Sequence, residues 1–258
     1  MQTKQWTVLR LLCCAVCLAL LYSVCLPAAA DTDVLAGSLP MLVNKDYPVE
    51  EDFVPADLVL LSDVLDSSLV RIKHEGTMAV RTAAEALEVM LEAAKADGIK
   101  NWQINTAYRS YSDQETLLNQ KIRAYQKEHS GWSKSRARSA ALRTVAEPGC
   151  SEHHLGLAFD ITAKGASAFK GTKQCKWLHA HCWEYGFIVR YQEGKEDITG
   201  FTAEEWHIRY VGTEHSMAML NANFCLEEYL ENMEEDPIDF LVVDLEEDID
   251  FEDLIPKT

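Results

Sequence analysis

Hydrophobic positions recur at helical spacing through Val80, Ala84, Leu87, Leu91 and Ala94, which predicts a helix over 77–97, with Gly98 placed to stop it. Trp102, Ile104 and Thr106 then alternate with polar residues as a half-buried strand does. Ser112 and Glu115 have capping-box spacing and predict a second helix running to about Glu128. A basic helical stretch follows from Lys134 to about Val145 and stops before Pro148 and Gly149. Further on, the pattern predicts strands at 157–161, 187–191 and 207–211 and a helix at 175–185. These elements keep no regular strand–helix–strand rhythm, so the expected class is α+β, with a mainly antiparallel sheet flanked by helices.

Composition places the 258 residues among ordinary globular chains, 48% hydrophobic and 25% charged. The net charge of -17 is unevenly distributed: residues 227–258 hold fourteen acids and one base, whereas 1–30 carry only Lys4 and Arg10. The remaining body is mildly acidic and lacks the basic footprint that nucleic acid demands, so no nucleic-acid partner is expected. The expected organisation is an export segment at 1–30, a lead segment at 31–75 with Pro40, Pro48 and Pro55, a catalytic domain at 76–231 and an acidic tail at 232–258.

The first thirty residues read as an export signal. Two basic residues precede an uncharged run from Leu11 to Leu26, and Pro27 with Ala28, Ala29 and Ala30 forms a small-residue cleavage site. The run also approaches the length of a bilayer span, so an uncleaved membrane anchor is the other form of the same expectation. Either way the body is expected outside the cytoplasm, secreted or anchored at the cell wall. Outside that segment stand Cys150, Cys175, Cys182 and Cys225, which could form two bridges or remain four thiols.

Candidate chemistry concentrates in two short segments, Ser151-Glu152-His153-His154-Leu155-Gly156-Leu157-Ala158-Phe159-Asp160 and Glu204-Glu205-Trp206-His207-Ile208-Arg209. Two histidines and an aspartate suffice for a catalytic zinc site, which uses three protein ligands and keeps a fourth position open. Gly156 lets the backbone turn so that His153 and Asp160 converge, while His154, in an extended chain, points the other way. A carboxylate three residues before His207 offers the general base that metal-assisted hydrolysis requires.

The pattern Ser-x-His-x-x-Gly-x-Ala-x-Asp followed by Glu-x-Trp-His resembles that of the zinc D-alanyl-D-alanine carboxypeptidases of the vancomycin-resistance accessory type. Related L,D-carboxypeptidases and D-Ala-D-Ala dipeptidases share it. Val43-Asn44-Lys45, Tyr108-Arg109-Ser110-Tyr111-x-x-Gln114, Pro148-Gly149-x-Ser151-Glu152-His153 and Arg209-Tyr210-Val211-Gly212 extend the resemblance over roughly residues 40–230. It implies the Hedgehog/DD-peptidase-like zinc peptidase fold, Zn2+ held by His153, Asp160 and His207, and Glu204 as general base. It further implies Arg109 on the substrate carboxylate or developing oxyanion, with Gln114 and Ser151 as additional substrate contacts. The expected substrate is a peptidoglycan stem peptide losing its terminal D-alanine, and the expected state is a monomer.

Three other readings compete. An L,D-carboxypeptidase acting on tetrapeptides would use the same machinery, and a silent zinc-stabilised wall-binding module would keep only the metal. A nucleophilic enzyme built on Cys150 or Ser151 lacks the strand–turn–helix elbow such residues need. Cys175, His179 and Cys182 share a helical face and imitate a second metal site, although a packed face is the simpler account.

Overall fold

A computed structural model describes residues 40–235, so the export segment, the start of the lead segment and the acidic tail beyond Glu235 lie outside the described residues. The centre is a five-stranded sheet of β2 (Val70–Ile72), β4 (Trp102–Thr106), β5 (Ala158–Ala163), β7 (Glu204–Tyr210) and β6 (Phe187–Tyr191), in that spatial order. β2 runs parallel to β4 and the other neighbours are antiparallel. β1 (Leu58–Leu60) and β3 (Met78–Val80) pair separately as a short antiparallel ribbon.

Alternation along the strands gives the sheet two unlike faces. Trp102, Ile104, Phe159, Ile161 and Ile208 are buried on one side. There they meet Ala83, Leu87, Met90 and Leu91 of α2 (Arg81–Ala96) and Leu178 of α5 (Lys173–His181) in the main core. Each fully buried leucine or methionine stabilises the fold by about 1.5–3 kcal/mol relative to exposure. The opposite face carries Gln103, Asn105, Asp160, Thr162 and His207 and is open to a cleft. The α3 (Tyr111–Glu128) and α4 (Lys134–Ala141) hairpin closes on its own small cluster of Leu118, Ile122, Ala137 and Ala141.

Two local expectations are corrected. The first helix begins at Arg81, not at 77, because Met78–Val80 is extended and pairs with β1. Strand pairing overrides the helical period here. The second helix begins at Tyr111, and its cap is Ser110, whose Oγ accepts from the Asp113 backbone N–H and donates to the Asp113 carboxylate at 2.6 Å. That cap lies two residues before the one Ser112 and Glu115 predicted. The lead segment supplies β1, β2 and the four-residue α1 (Leu61–Val64), elements too short to show periodicity.

A buried charge network ties the two strands at one edge of the sheet, β6 and β7, to the segment before β5. Glu152, Arg190 and Arg209 are each 1% exposed. Glu152 Oε1 accepts from Arg190 Nε at 2.7 Å and from Arg209 Nη1 at 3.0 Å. Arg190 forms a second, two-pronged pair with Glu227 of α6 (Leu226–Glu235), at 2.8 and 2.6 Å. Burial alone would raise the Glu152 pKa, but the two guanidiniums hold it well below the ordinary carboxylate range.

Glu152→Gln leaves two buried guanidiniums to one carboxylate and is expected to lower unfolding stability by about 3–5 kcal/mol in chemical denaturation. A loss under 1 kcal/mol would mean the network contributes little. Gly156 sits at φ +66°, where a Cβ would meet Leu58 Cδ2 at 3.0 Å and Val80 Cγ2 at 3.1 Å. Gly156→Ala should therefore cost about 1–2 kcal/mol from the left-handed backbone alone, read as a fall in melting temperature.

Candidate active site and metal centre

The paired strands bring the first two donors together. Asp160 of β5 and His207 of β7 stand opposite one another in register, and His207 Nδ1 lies 3.1 Å from Asp160 Oδ1. His153 comes from a 3₁₀ turn over Glu152–Leu155, closed by Gly156 in the left-handed conformation. Its Nε2 lies 3.5 Å from Asp160 Oδ2. One ligand atom from each of the three side chains falls within 4.8 Å of the others, and among the described residues no other group of three such side chains gathers in this way.

Ring orientation fits these donors to zinc. His153 Nδ1 donates to the Ala107 carbonyl at 2.7 Å, which fixes the tautomer with the Nε2 lone pair toward Asp160. His207 presents Nδ1 to the centre, while its Nε2 is buried without a hydrogen-bond partner, 3.6 Å from the equally unpartnered Glu152 Oε2. A carboxylate behind the ligating imidazole is the arrangement that orients histidine on zinc. One carboxylate with two imidazoles is also a donor set that Zn2+ accepts in catalytic sites.

His154 turns away from the centre, as expected, but not because the chain is extended. The 3₁₀ turn directs its ring outward, where Nδ1 donates to the Arg109 carbonyl at 2.8 Å and Nε2 accepts from the Gly149 N–H at 3.1 Å.

Glu204 reaches the centre through an irregularity. Two residues of β6 span four of β7, since Val189 pairs with Ile208 and Tyr191 with Glu204. In a regular strand, positions 204 and 207 would face opposite sides; here Glu204 Oε2 lies 3.8 Å from His207 Nδ1. Glu205 instead pairs with Lys170 Nζ at 3.0 Å, away from the centre. Burial raises the Glu204 pKa to about 7, against the pull of His207 and Arg109.

The imidazoles are perturbed in opposite directions. Burial lowers His153 to about 4 despite Asp160. Burial also works against protonating His207, but its contacts with Asp160 and Glu152 win and raise it to about 9.

A cavity of about 200 Å³ adjoins these groups and is lined by Arg109, Gln114, Ser151, Tyr191, Glu204 and Trp206, among others. Arg109 Nη1 donates to Gln114 Oε1 at 2.6 Å, and Gln114 Nε2 donates to the Ala146 carbonyl at 2.8 Å. The Gln114 amide is thereby engaged at both ends and braces the guanidinium. Trp206 also lines a second, wider cleft that shares Asp160 with the first.

The other cysteine and histidine candidates lie elsewhere. Cys150, Cys175, Cys182 and Cys225 are all free thiols. Cys182 is completely buried, which pushes its pKa up, and His179 Nε2 hydrogen-bonds the Glu205 carbonyl, so the imitation of a second metal site dissolves. Glu152, Arg190, Tyr191 and Trp206 had no assigned role in the sequence reading. An arginine inside the apolar run Phe187–Tyr191 was the one signal of a buried ion pair.

A family model described as VanY, D-alanyl-D-alanine carboxypeptidase, matches residues 77–213. A D-alanyl-D-alanine carboxypeptidase of Enterococcus faecalis is 38% identical over 190 residues, covering 74% of this chain and 65% of that protein. Among solved structures, the vancomycin-resistance D,D-pentapeptidase VanY of a VanB-type cassette, a mutant in complex with Zn(II), is 34% identical with a TM-score of 0.62. The match covers 74% of this chain and 97% of that one. The LdcB LD-carboxypeptidase is likewise 34% identical with a TM-score of 0.62, over 74% of this chain and 84% of its own. The chain spans 61–67% of the length of three curated relatives it matches. With the three metal donors, the facing glutamate and this similarity in agreement, the chain belongs to the VanY family of D-alanyl-D-alanine carboxypeptidases.

Proposed function

We propose that the protein is a zinc carboxypeptidase that removes the terminal D-alanine from peptidoglycan stem peptides ending in D-Ala-D-Ala. The observation that carries this reading is Glu204, a half-buried carboxylate 3.8 Å from a metal-donor nitrogen and in one cavity with the Arg109 guanidinium. A module kept only for binding has no use for such a base.

His153, Asp160 and His207 would hold the ion, which when bound supplies Lewis-acid activation of a water and of the scissile carbonyl. Glu204 takes the proton of the attacking water, a task suited to a carboxylate poised near neutrality. It then passes that proton to the departing amine. Arg109, held by Gln114 and lying 3.5 Å from Thr106 Oγ1, presents a planar fork that matches the free carboxylate of the terminal residue. Ser151 lines the same cavity beside His153 and completes the substrate contacts.

Export to the cell wall belongs to the same proposal, on the strength of the charged start, the apolar run and the alanine site in residues 1–30. Among the described residues no helix is long and apolar enough to cross a membrane, so any anchor would be that first segment.

Glu204→Gln should retain zinc yet lose D-alanine release from a synthetic pentapeptide by about 10²–10⁴-fold, measured by mass spectrometry. A variant that stays within threefold of the parent would remove Glu204 from the mechanism. Matched penta- and tetrapeptides decide between D,D- and L,D-cleavage, and zinc retention without release from either would favour the silent module. In the metal-free protein His207 is protonated at neutral pH, because its pKa is raised to about 9, whereas a zinc ligand must be neutral. Zinc binding near neutral pH is therefore expected to release about one proton per ion, read by calorimetry in buffers of differing ionisation enthalpy. Binding without proton release would contradict the assigned His207 environment.

A further inference from the structure

The cavity that holds Arg109 is small, but it opens past Asp160 and Trp206 into a cleft of about 730 Å³, more than three times larger. Gln103, Asn105 and Thr162 form its floor, joined by hydrogen bonds of 2.8 and 2.9 Å. Arg71 and Lys73 of and beside edge strand β2 line its far end. Both are exposed, and neither is paired with a carboxylate among the described residues. Apart from the metal donor Asp160, these are the charged side chains of this cleft. Two unpaired cations are notable in a chain with net charge -17.

Substrate polarity follows from the difference in size between the Arg109 cavity and the cleft. With the terminal carboxylate on Arg109 and the scissile carbonyl at the metal donors, the wide cleft, which shares Asp160 and Trp206 with the cavity, is the largest space open to the rest of the peptide. Arg71, Gln103 and Thr162 stand in one cross-strand row, and Asp160 is two residues along β5 from Thr162. With strands about 4.8 Å apart and a rise of about 3.4 Å per residue, Arg71 lies roughly 12 Å from Asp160. That distance corresponds to about three residues of extended chain.

We propose that Arg71 and Lys73 form a subsite that reads a free carboxylate on the peptide about three residues upstream of the scissile bond. The inference rests on the carboxypeptidase reading above and adds a specificity: an acidic side group there is accepted and its carboxamide is disfavoured. The charge on the peptide, rather than its length, is what the far end of the cleft recognises.

The test uses two synthetic pentapeptides ending in D-Ala-D-Ala and identical except at the third residue upstream, which bears either a free carboxyl or the amide. The zinc-loaded wild-type protein should cleave the free-carboxylate peptide with kcat/KM about fivefold higher or more, and the preference should shrink as salt is raised. In the Arg71→Gln/Lys73→Gln double variant the ratio should fall to within twofold of one, and Arg71→Glu/Lys73→Glu should invert it. Equilibrium binding of both peptides to Glu204→Gln protein, measured by calorimetry, should show the same preference without turnover. Equal cleavage of the two peptides by wild type would overturn the subsite while leaving the activity in place. A preference that survives in the double variant would also overturn it. Release from neither peptide would overturn the carboxypeptidase reading, and the subsite with it.

Discussion

The structure depends on a fully buried carboxylate. Glu152 lies between Arg190 of β6 and Arg209 of β7, with its second oxygen behind the His207 ring. It is ionised because two guanidiniums surround it, and it can be buried for the same reason. The next residue in the chain is the metal donor His153. One side chain therefore sits in the 3₁₀ turn that aims His153, joins β6 to the strand that carries Glu204 and His207, and meets the far nitrogen of a candidate metal-donor imidazole. Through Arg190 and Glu227 the same network extends to α6.

Around that anchor the sheet divides its labour by parity. Even positions of β4 and odd positions of β5 supply the core, and their neighbours supply the polar floor of the cleft. Strict parity would nonetheless separate Glu204 from His207. The bulge in β7 resolves this, placing base and donor together while Glu205 turns to Lys170. An adjacent pair of glutamates is thus split into one that faces the metal donors and one that forms a surface pair with Lys170.

Much of this was legible in the sequence. The spacing of His153, Asp160 and His207, with Glu204 three residues before the last, identified the centre, and the strand over 187–191 is found at those residues. Contacts between distant segments were not legible. Met78–Val80 continues a helical period but is claimed by β1, and the true cap, Ser110, stands two residues before a serine with equally good spacing. The partners of Glu152 are 38 and 57 residues away, and no local pattern announces them. The resemblance pointed to Gln114 as a substrate contact; it lines the cavity, and its hydrogen bonds to Arg109 and the Ala146 carbonyl were not legible in the sequence.

The two-faced sheet has an evolutionary consequence. The polar side chains of the cleft, Gln103, Asn105, Arg71 and Lys73, stand outside the hydrophobic core, so a lineage can exchange them with little loss of folding free energy. Such a scaffold lets preference for one peptide drift into preference for another while the hydrolytic centre and its hydrophobic foundation are inherited intact.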